Sequence, residues 1–437
     1  MKKLDFVFSV ILFVLLISMS FVSVGFSLVL WSKNYGGIGD QKAVSIIETS
    51  DEGYAIFGNT QIEPNLSDFL LIKIDENGNM QWNQTYDGKG ETDLARSFVQ
   101  TSDGGYALAG QTFSSFQYGS SDFWLAKTDK NGKLQWYQTY GQWYMDDVGS
   151  IIETSDGGFA LFGTTLSIVG KLEDYFLVKT NSYGNLMWNK TYGRGDRREF
   201  GEAIVETSDG GYALAGSFEI SGYSRTAYQL LKIDSLGNME WNQTYGYKEF
   251  EINYYLDVTD LAPTADGGFA LGGTTRSAWT DFEAYYLLVK TDEFGNMQWN
   301  QTYRPADSND KQTAMIGTSD GGFAIASSYR NESTYSDIWL IKTDMNGVVE
   351  WNQNHSMADF QHVLSLIQTS DGGFALAGRT HSSDDEYQTN DFWVLKTDEQ
   401  GIPEFPSWTI LVAGLSVVLG LSIIYRTRFR ERKNEEI

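Results

Sequence analysis

The sequence predicts an all-β fold, a seven-bladed β-propeller of four-stranded antiparallel blades closed by the N-terminal strand. Three observations carry this. First, one unit recurs seven times: its turn aspartates are Asp51, Asp103, Asp156, Asp209, Asp266, Asp320 and Asp371, and its lysines are Lys73, Lys127, Lys179, Lys232, Lys290, Lys342 and Lys396. Second, the unit's tryptophans are Trp31, Trp82, Trp136, Trp188, Trp241, Trp299 and Trp351, so the first stands alone at the start and the last lysine has none after it. Third, each unit carries four short alternating segments in about 50 residues, the size of a propeller blade.

Residues 93–140 show the four segments in order. Ser97 to Thr101 reads as a first strand, and Asp103-Gly104 as a two-residue hairpin turn in which both positions favour positive φ. Tyr106 to Ala109 is the second strand, followed by a loop rich in serine and aromatics. Asp122 to Lys127 is the third, Asp129 to Gly132 a second tight turn, and Leu134 to Tyr140 a fourth strand of period two. The seventh copy stops after its third strand, and Leu28 to Tyr35 supplies the missing fourth. Pairing the two ends closes the ring and removes an open edge.

Lysine to the next tryptophan is nine residues in every complete copy, whereas the distances across the 2–3 loops and the 4–1 connections vary. The 1–2 and 3–4 turns share one face of the disc, which is therefore uniform. The other face carries the differences between blades, and binding groups are expected there.

Formal net charge is -25, which disfavours a nucleic-acid partner. Cysteine is absent, so disulfides, thiolate catalysis and cysteine-ligated zinc are excluded. Lys2 and Lys3 precede an apolar run, so residues 1–27 read as a signal peptide or N-terminal anchor. The propeller occupies 28–401 and a short linker 402–407. Residues 408–425 are apolar enough and long enough for a transmembrane helix, and 426–437 form a basic tail, cytoplasmic by the positive-inside rule. The membrane is thus an expected partner, with the propeller extracellular and its uniform face toward the bilayer.

The repeated lysines read as structural, each ammonium paired with a repeated carboxylate. Asp75-Glu76-Asn77-Gly78-Asn79 reads as a hairpin turn, lacking the length and terminal glutamate of an EF-hand loop. Asp146-Asp147 and Asp384-Asp385-Glu386 read as solvated loops, with Ca2+ as the alternative; no other cofactor or metal is expected. Of the Asn-x-Ser/Thr sites, Asn65 and Asn331 lie in variable loops and are the candidates for N-glycosylation. His355 stands where the repeat has tyrosine and reads as a packing residue; neither His362 nor His381 forms a metal-spaced pair with another histidine. No catalytic residue is assigned. Trp143, Tyr144, Tyr254 and Tyr255 in the 4–1 connections, and Trp279 in a 2–3 loop, are the candidate ligand-binding aromatics on the variable face.

Two resemblances follow from these residues. The repeated Asp-x-x-Gly-x-x-x-Trp resembles the tryptophan-docking repeat of quinoprotein dehydrogenases with one residue fewer, and over 28–401 the chain resembles the Asp-Gly-Gly propeller proteins of archaeal and bacterial surfaces, with quinoprotein- and kelch-like blades. Pro403-Glu404-Phe405, the apolar span and the basic tail resemble the PEF-type C-terminal sorting signals of archaeal surface proteins. Together they imply an exported, membrane-anchored propeller. The expectation is a non-enzymatic adhesion module binding a glycan, peptide or envelope partner. The alternatives are a glycan-active or cofactor-dependent propeller enzyme, or a purely structural envelope component.

Overall fold

A computed structural model describes residues 32–402 apart from 38, 64–65, 89–91, 114–119, 142–144, 167–171, 221–225, 247–253, 278–283, 305–312, 330–336, 357–359 and 382–388. The described strands form seven four-stranded antiparallel sheets. Six blades are continuous in sequence: Asp40–Tyr86, Asp93–Tyr140, Asp146–Tyr192, Glu199–Tyr245, Tyr254–Tyr303 and Thr313–Ser356. The seventh takes three strands from Phe360–Thr397 and its outermost from Ser32–Tyr35, with Ser32 opposite Leu395 and Tyr35 opposite Phe392. The second and third strands of each blade are almost wholly buried, and each of seven apolar clusters joins one blade to the next. The segments read as signal peptide, transmembrane helix and tail lie outside the described residues.

The repeat's invariant residues hold one blade against its neighbour. Each described fourth-strand tryptophan lies on the 3–4 turn glycine of the following blade: a Cβ added at Gly132 would stand 2.7 Å from the Trp82 ring, and one at Gly184 2.5 Å from Trp136. The same tryptophan meets, edge on, the aromatic that follows the next Gly-Gly, as in Trp82–Tyr106 at 6.1 Å and Trp351–Phe374 at 5.7 Å between centroids. The tyrosine ending the fourth strand donates to the same turn: Tyr86 to the Gly132 carbonyl at 2.6 Å and Tyr192 to Gly237 at 2.8 Å. Tyr35 does this to Gly78 at 2.8 Å, so the borrowed strand makes the contact an ordinary fourth strand makes. His355 is fully buried where the repeat has tyrosine and interacts with the Gly401 backbone; burial lowers its pKa to about 4, so it is neutral at physiological pH.

A belt on the uniform face was not anticipated. The serine of Thr-Ser-Asp donates to the residue ending the next blade's first strand: Ser102 to Glu153, Ser155 to Glu206, Ser319 to Gln368 and Ser370 to Glu48 across the closure. Where that acceptor position is Pro263 or Gly317, there is no side-chain oxygen to receive the bond.

The 1–2 turn differs from the two-residue turn expected. Gly104 N–H bonds the Thr101 carbonyl at 2.8 Å and Thr101 N–H bonds the Gly105 carbonyl at 2.9 Å, enclosing Ser102-Asp103-Gly104. Only Gly104 has positive φ, at 82°. This is a three-residue loop ending in a left-handed glycine, which frees the aspartate to stay right-handed and use its carboxylate. Blade one has Glu52 at that position, with φ of 65°. Glu52→Gly should therefore raise stability by roughly 0.5–1 kcal/mol, read as a higher urea midpoint with unchanged slope.

The carboxylate's partner is the repeated lysine. Lys127 meets Asp103 at 2.9 Å, Lys232 meets Asp209 at 2.7 Å and Lys396 meets Asp371 at 2.7 Å; all seven lysines are buried and all seven are so paired. Burial opposes charge on Asp103, but the Thr101 hydroxyl, the Lys127 ammonium and the Gly105 N–H outweigh it and hold its carboxyl at about 2. Lys127→Met keeps the stem but removes the ammonium from Asp103 and the Thr128 carbonyl. The expected cost is about 1–3 kcal/mol at pH 7. Because the folded carboxyl lies below its ordinary 3.8, the wild type has this increment above that pH and loses it as pH falls toward 2. The gap between variant and wild type in urea melts should accordingly close between pH 4 and 2.

Candidate active site

The innermost strands ring an axial channel, and a register shift in each shapes its wall. In six blades the first strand slips by one residue against the second: between Ala43 and Ser45, Ala95 and Ser97, Val148 and Ser150, Gly201 and Ala203, Val258 and Asp260, and Val363 and Ser365. The extra residue at such a bulge turns out of the pleat. All six extra residues, Val44, Arg96, Gly149, Glu202, Thr259 and Leu364, line one cavity of about 570 Å³. Only Arg96 and Glu202 among them are charged. They flank Gly149, whose lack of a side chain lets blade four approach: a Cβ there would stand 2.7 Å from the Glu202 Cα.

Arg96 reaches from blade two to Asp147 of blade three with two bonds, Nε at 3.1 Å and Nη2 at 2.8 Å. Burial raises the Asp147 pKa and the guanidinium opposes the rise. Glu202 is reached by solvent at the channel wall yet enclosed by protein on its flanks. That enclosure, with Asp147, Asp257 and Asp260 nearby, pushes its pKa up to about 7 despite Arg96. Lys42 faces the same cavity; burial and the fields of Arg379 and Arg96 lower its pKa. The cavity wall is thus polarised, with Lys42 and Arg96 on blades one and two and Asp147, Glu173, Glu202 and Asp260 on blades three to five.

Asp260, also raised to about 7 by burial, has a structural reason for its place. Serine stands there in other blades and accepts an inter-blade N–H: Ser97 from Ile151 at 3.5 Å, Ser365 from Ile46 at 3.2 Å. Asp260 interacts with the Met315 backbone in the same way. Glu202, which holds no such position and projects into the channel, is the group open to chemistry.

Of the expected site residues, Trp143, Tyr144, Trp279, Asn65 and Asn331 lie outside the described residues, as does the Asp384-Asp385-Glu386 loop. Tyr254 and Tyr255 fall inside the inner strand of blade five instead of its preceding connection, and Tyr255 is half-buried. Asp146-Asp147 is no solvated loop: the pair opens a strand, with Asp146 fully buried and Asp147 salt-bridged to Arg96. The channel residues were missed, although the run small–x–small–apolar (Ala95-Arg96-Ser97-Phe98, Gly201-Glu202-Ala203-Ile204) marks the bulge in the sequence.

No protein-family model matches the chain, and no curated protein matches it. Solved structures of similar fold include the polysaccharide lyase PL25 ulvan lyase bound to -[GlcA(1-4)Rha3S]-, with a TM-score of 0.53, 9% identity and coverage of 84% of this chain and 96% of that one. The polysaccharide lyase Uly1 has a TM-score of 0.51 at 11% identity, covering 86% and 93%. The β-propeller domain of the trilobed protease from Pyrococcus furiosus has a TM-score of 0.48 at 8% identity, covering 85% and 100%. At these identities the likeness concerns the fold. It nevertheless corrects the expectation of a non-enzyme. That expectation rested on a repeat without histidine or nucleophile motifs, and glycan-cleaving enzymes are found on propellers of this kind.

Proposed function

We propose that the chain is a glycan-cleaving enzyme whose reaction centre is the axial channel, with Glu202 as the proton donor. The observation that carries this reading is a carboxyl group set on a β-bulge, open to the channel, held near neutrality and facing a second carboxylate, Asp147, gripped by Arg96. Glycosidic bond cleavage commonly needs two carboxyl groups in different protonation states. Glu202 would give its proton to the glycosidic oxygen as the bond from that oxygen to the sugar's anomeric carbon breaks. Water then adds to that carbon and passes its proton to Asp147. The basic wall of Lys42 and Arg96, unusual in a chain of net charge -25, favours a sugar bearing carboxylate or sulfate. Inner strands run from the variable face toward the uniform one, so these groups lie near the variable mouth. An anchor at 408–425 would direct that mouth outward from the membrane.

The test is turnover of a panel of acidic and neutral polysaccharides by the full chain, read as new reducing ends and, separately, as the ultraviolet absorbance of unsaturated uronates. Hydrolysis gives the first signal alone; both signals together would replace hydrolysis by elimination. Release from an acidic polymer, at least a hundredfold slower in Glu202→Gln, is expected (roughly the contribution of a general acid). Intact polymers throughout the panel, or undiminished turnover in Glu202→Gln, would overturn the reading.

A further inference from the structure

At several blade junctions the third strand of one blade and the first strand of the next each bring an acid to the variable face. Asp122 meets Asp146 and Asp174 meets Glu199 in this way. The residue after the fourth-strand tyrosine packs directly on these acids where it is glycine: Gly36 on Asp391, Gly141 on Asp122 and Asp146, and Gly193 on Asp174. A Cβ at Gly141 would stand 1.9 Å from Asp122 Oδ1 and 2.6 Å from Asp146 Oδ2. Between blades one and two the corresponding residue is Asp87. The pair there, Asp68 and Asp93, is therefore joined by a third carboxylate, and one oxygen from each of the three lies within 4.8 Å of the other two.

A second observation points to a ligand. Asp93 is fully buried, and while its Oδ2 accepts the Gly88 N–H at 2.7 Å, its Oδ1 has no hydrogen-bond partner among the described residues. A carboxylate so placed is strongly unfavourable unless a cation or a donor compensates it.

We propose that Asp68, Asp87 and Asp93 form a calcium site that ties blade one to blade two at the variable face. The donor set suits this ion: three carboxylates offer only oxygen, and Ca2+ takes six to eight oxygens in a flexible geometry, whereas Mg2+ demands a near-ideal octahedron and gives up its waters reluctantly. Two of the three groups are held by strands, and the third extends from the end of a fourth strand, so the site is part of the blade junction.

The experiment uses CaCl2 and MgCl2 with the full chain, measuring binding by calorimetry and thermal unfolding at pH 7.5. Millimolar CaCl2 should raise the melting temperature, and MgCl2 should raise it less. Asp87→Gly introduces the residue found at four of the other six junctions and should fold normally. It should weaken one calcium site by about tenfold or more and shrink the calcium-induced rise. Asp93→Asn should melt higher than the wild type without calcium, since a repelled charge is gone, and lose the response to calcium. The proposal is overturned if the wild type is indifferent to CaCl2. It is equally overturned if Asp87→Gly keeps the wild-type affinity and melting shift, which would place any bound calcium elsewhere.

Discussion

A chain shortened to begin at Gly37 should lose on the order of 5 kcal/mol, enough to remove much of the stability of a typical domain. The deleted strand is four residues long, Ser32–Tyr35, yet three separate contributions leave with it. Tyr35 is 6% exposed, and its burial is worth roughly 2–3 kcal/mol. Its hydroxyl bond to Gly78 and the Ser32 bond to the Trp393 indole, at 2.6 Å, add about 1 kcal/mol each. The backbone ladder to Asp391–Thr397 is also lost, leaving that strand without the outer strand that covers its counterpart in every other blade. The shortened chain should melt well below the full one and associate at micromolar concentration, seen by calorimetry and size exclusion. Moving residues 29–36 to follow residue 402 keeps the nine-residue step from Lys396 to Trp31, joins the strand to the same sheet through a 3–4 turn and should restore the melting temperature. A shortened chain that stays monomeric and melts with the wild type would show that closure contributes little.

That closure was legible because it is a matter of counting: a lone tryptophan at one end and a lysine without one at the other can be satisfied only by joining the ends. The lysine pairs were legible for a similar reason, since a charge recurring within buried strands needs a recurring countercharge. The turn was misjudged because Asp-Gly was read without its flanking threonine and second glycine, which enlarge the loop by one residue and place only the glycine in the left-handed region. The channel was hidden for a deeper reason. Arg96 and Glu202 look like polar residues on the exposed face of short strands, and nothing local says that a one-residue slip turns them toward the axis. The slip is visible only when six copies are laid over one another and a position of free composition, from Val44 to Leu364, is seen to fall after alanine, glycine or valine and, in four copies, before serine. Repetition obscures such a site, because the eye is drawn to what the copies share, while the channel chemistry lies where they differ.

Replacing Glu202 by glutamine should lower kcat/KM on a cleaved glycan by about 10²- to 10⁴-fold, the usual contribution of a general acid, with little change in stability. The side chain keeps its size, and what it loses is a proton that can be given away. The pH dependence distinguishes this from a merely positional role. A donor must be protonated, and the channel raises Glu202 to about 7 where an unperturbed glutamate is near 4.5. Wild-type kcat/KM should therefore hold as pH rises from 5 and fall through about 7, and that falling limb should be absent from the residual activity of Glu202→Gln. Arg96→Gln offers an internal control of the field. Arg96 lowers the Glu202 pKa and grips Asp147, so its loss should carry the falling limb to higher pH while reducing turnover. If Glu202 served only to hold the bulge, Glu202→Gln would retain most of its activity and the wild-type limb, and the Arg96 variant would lose rate without moving it.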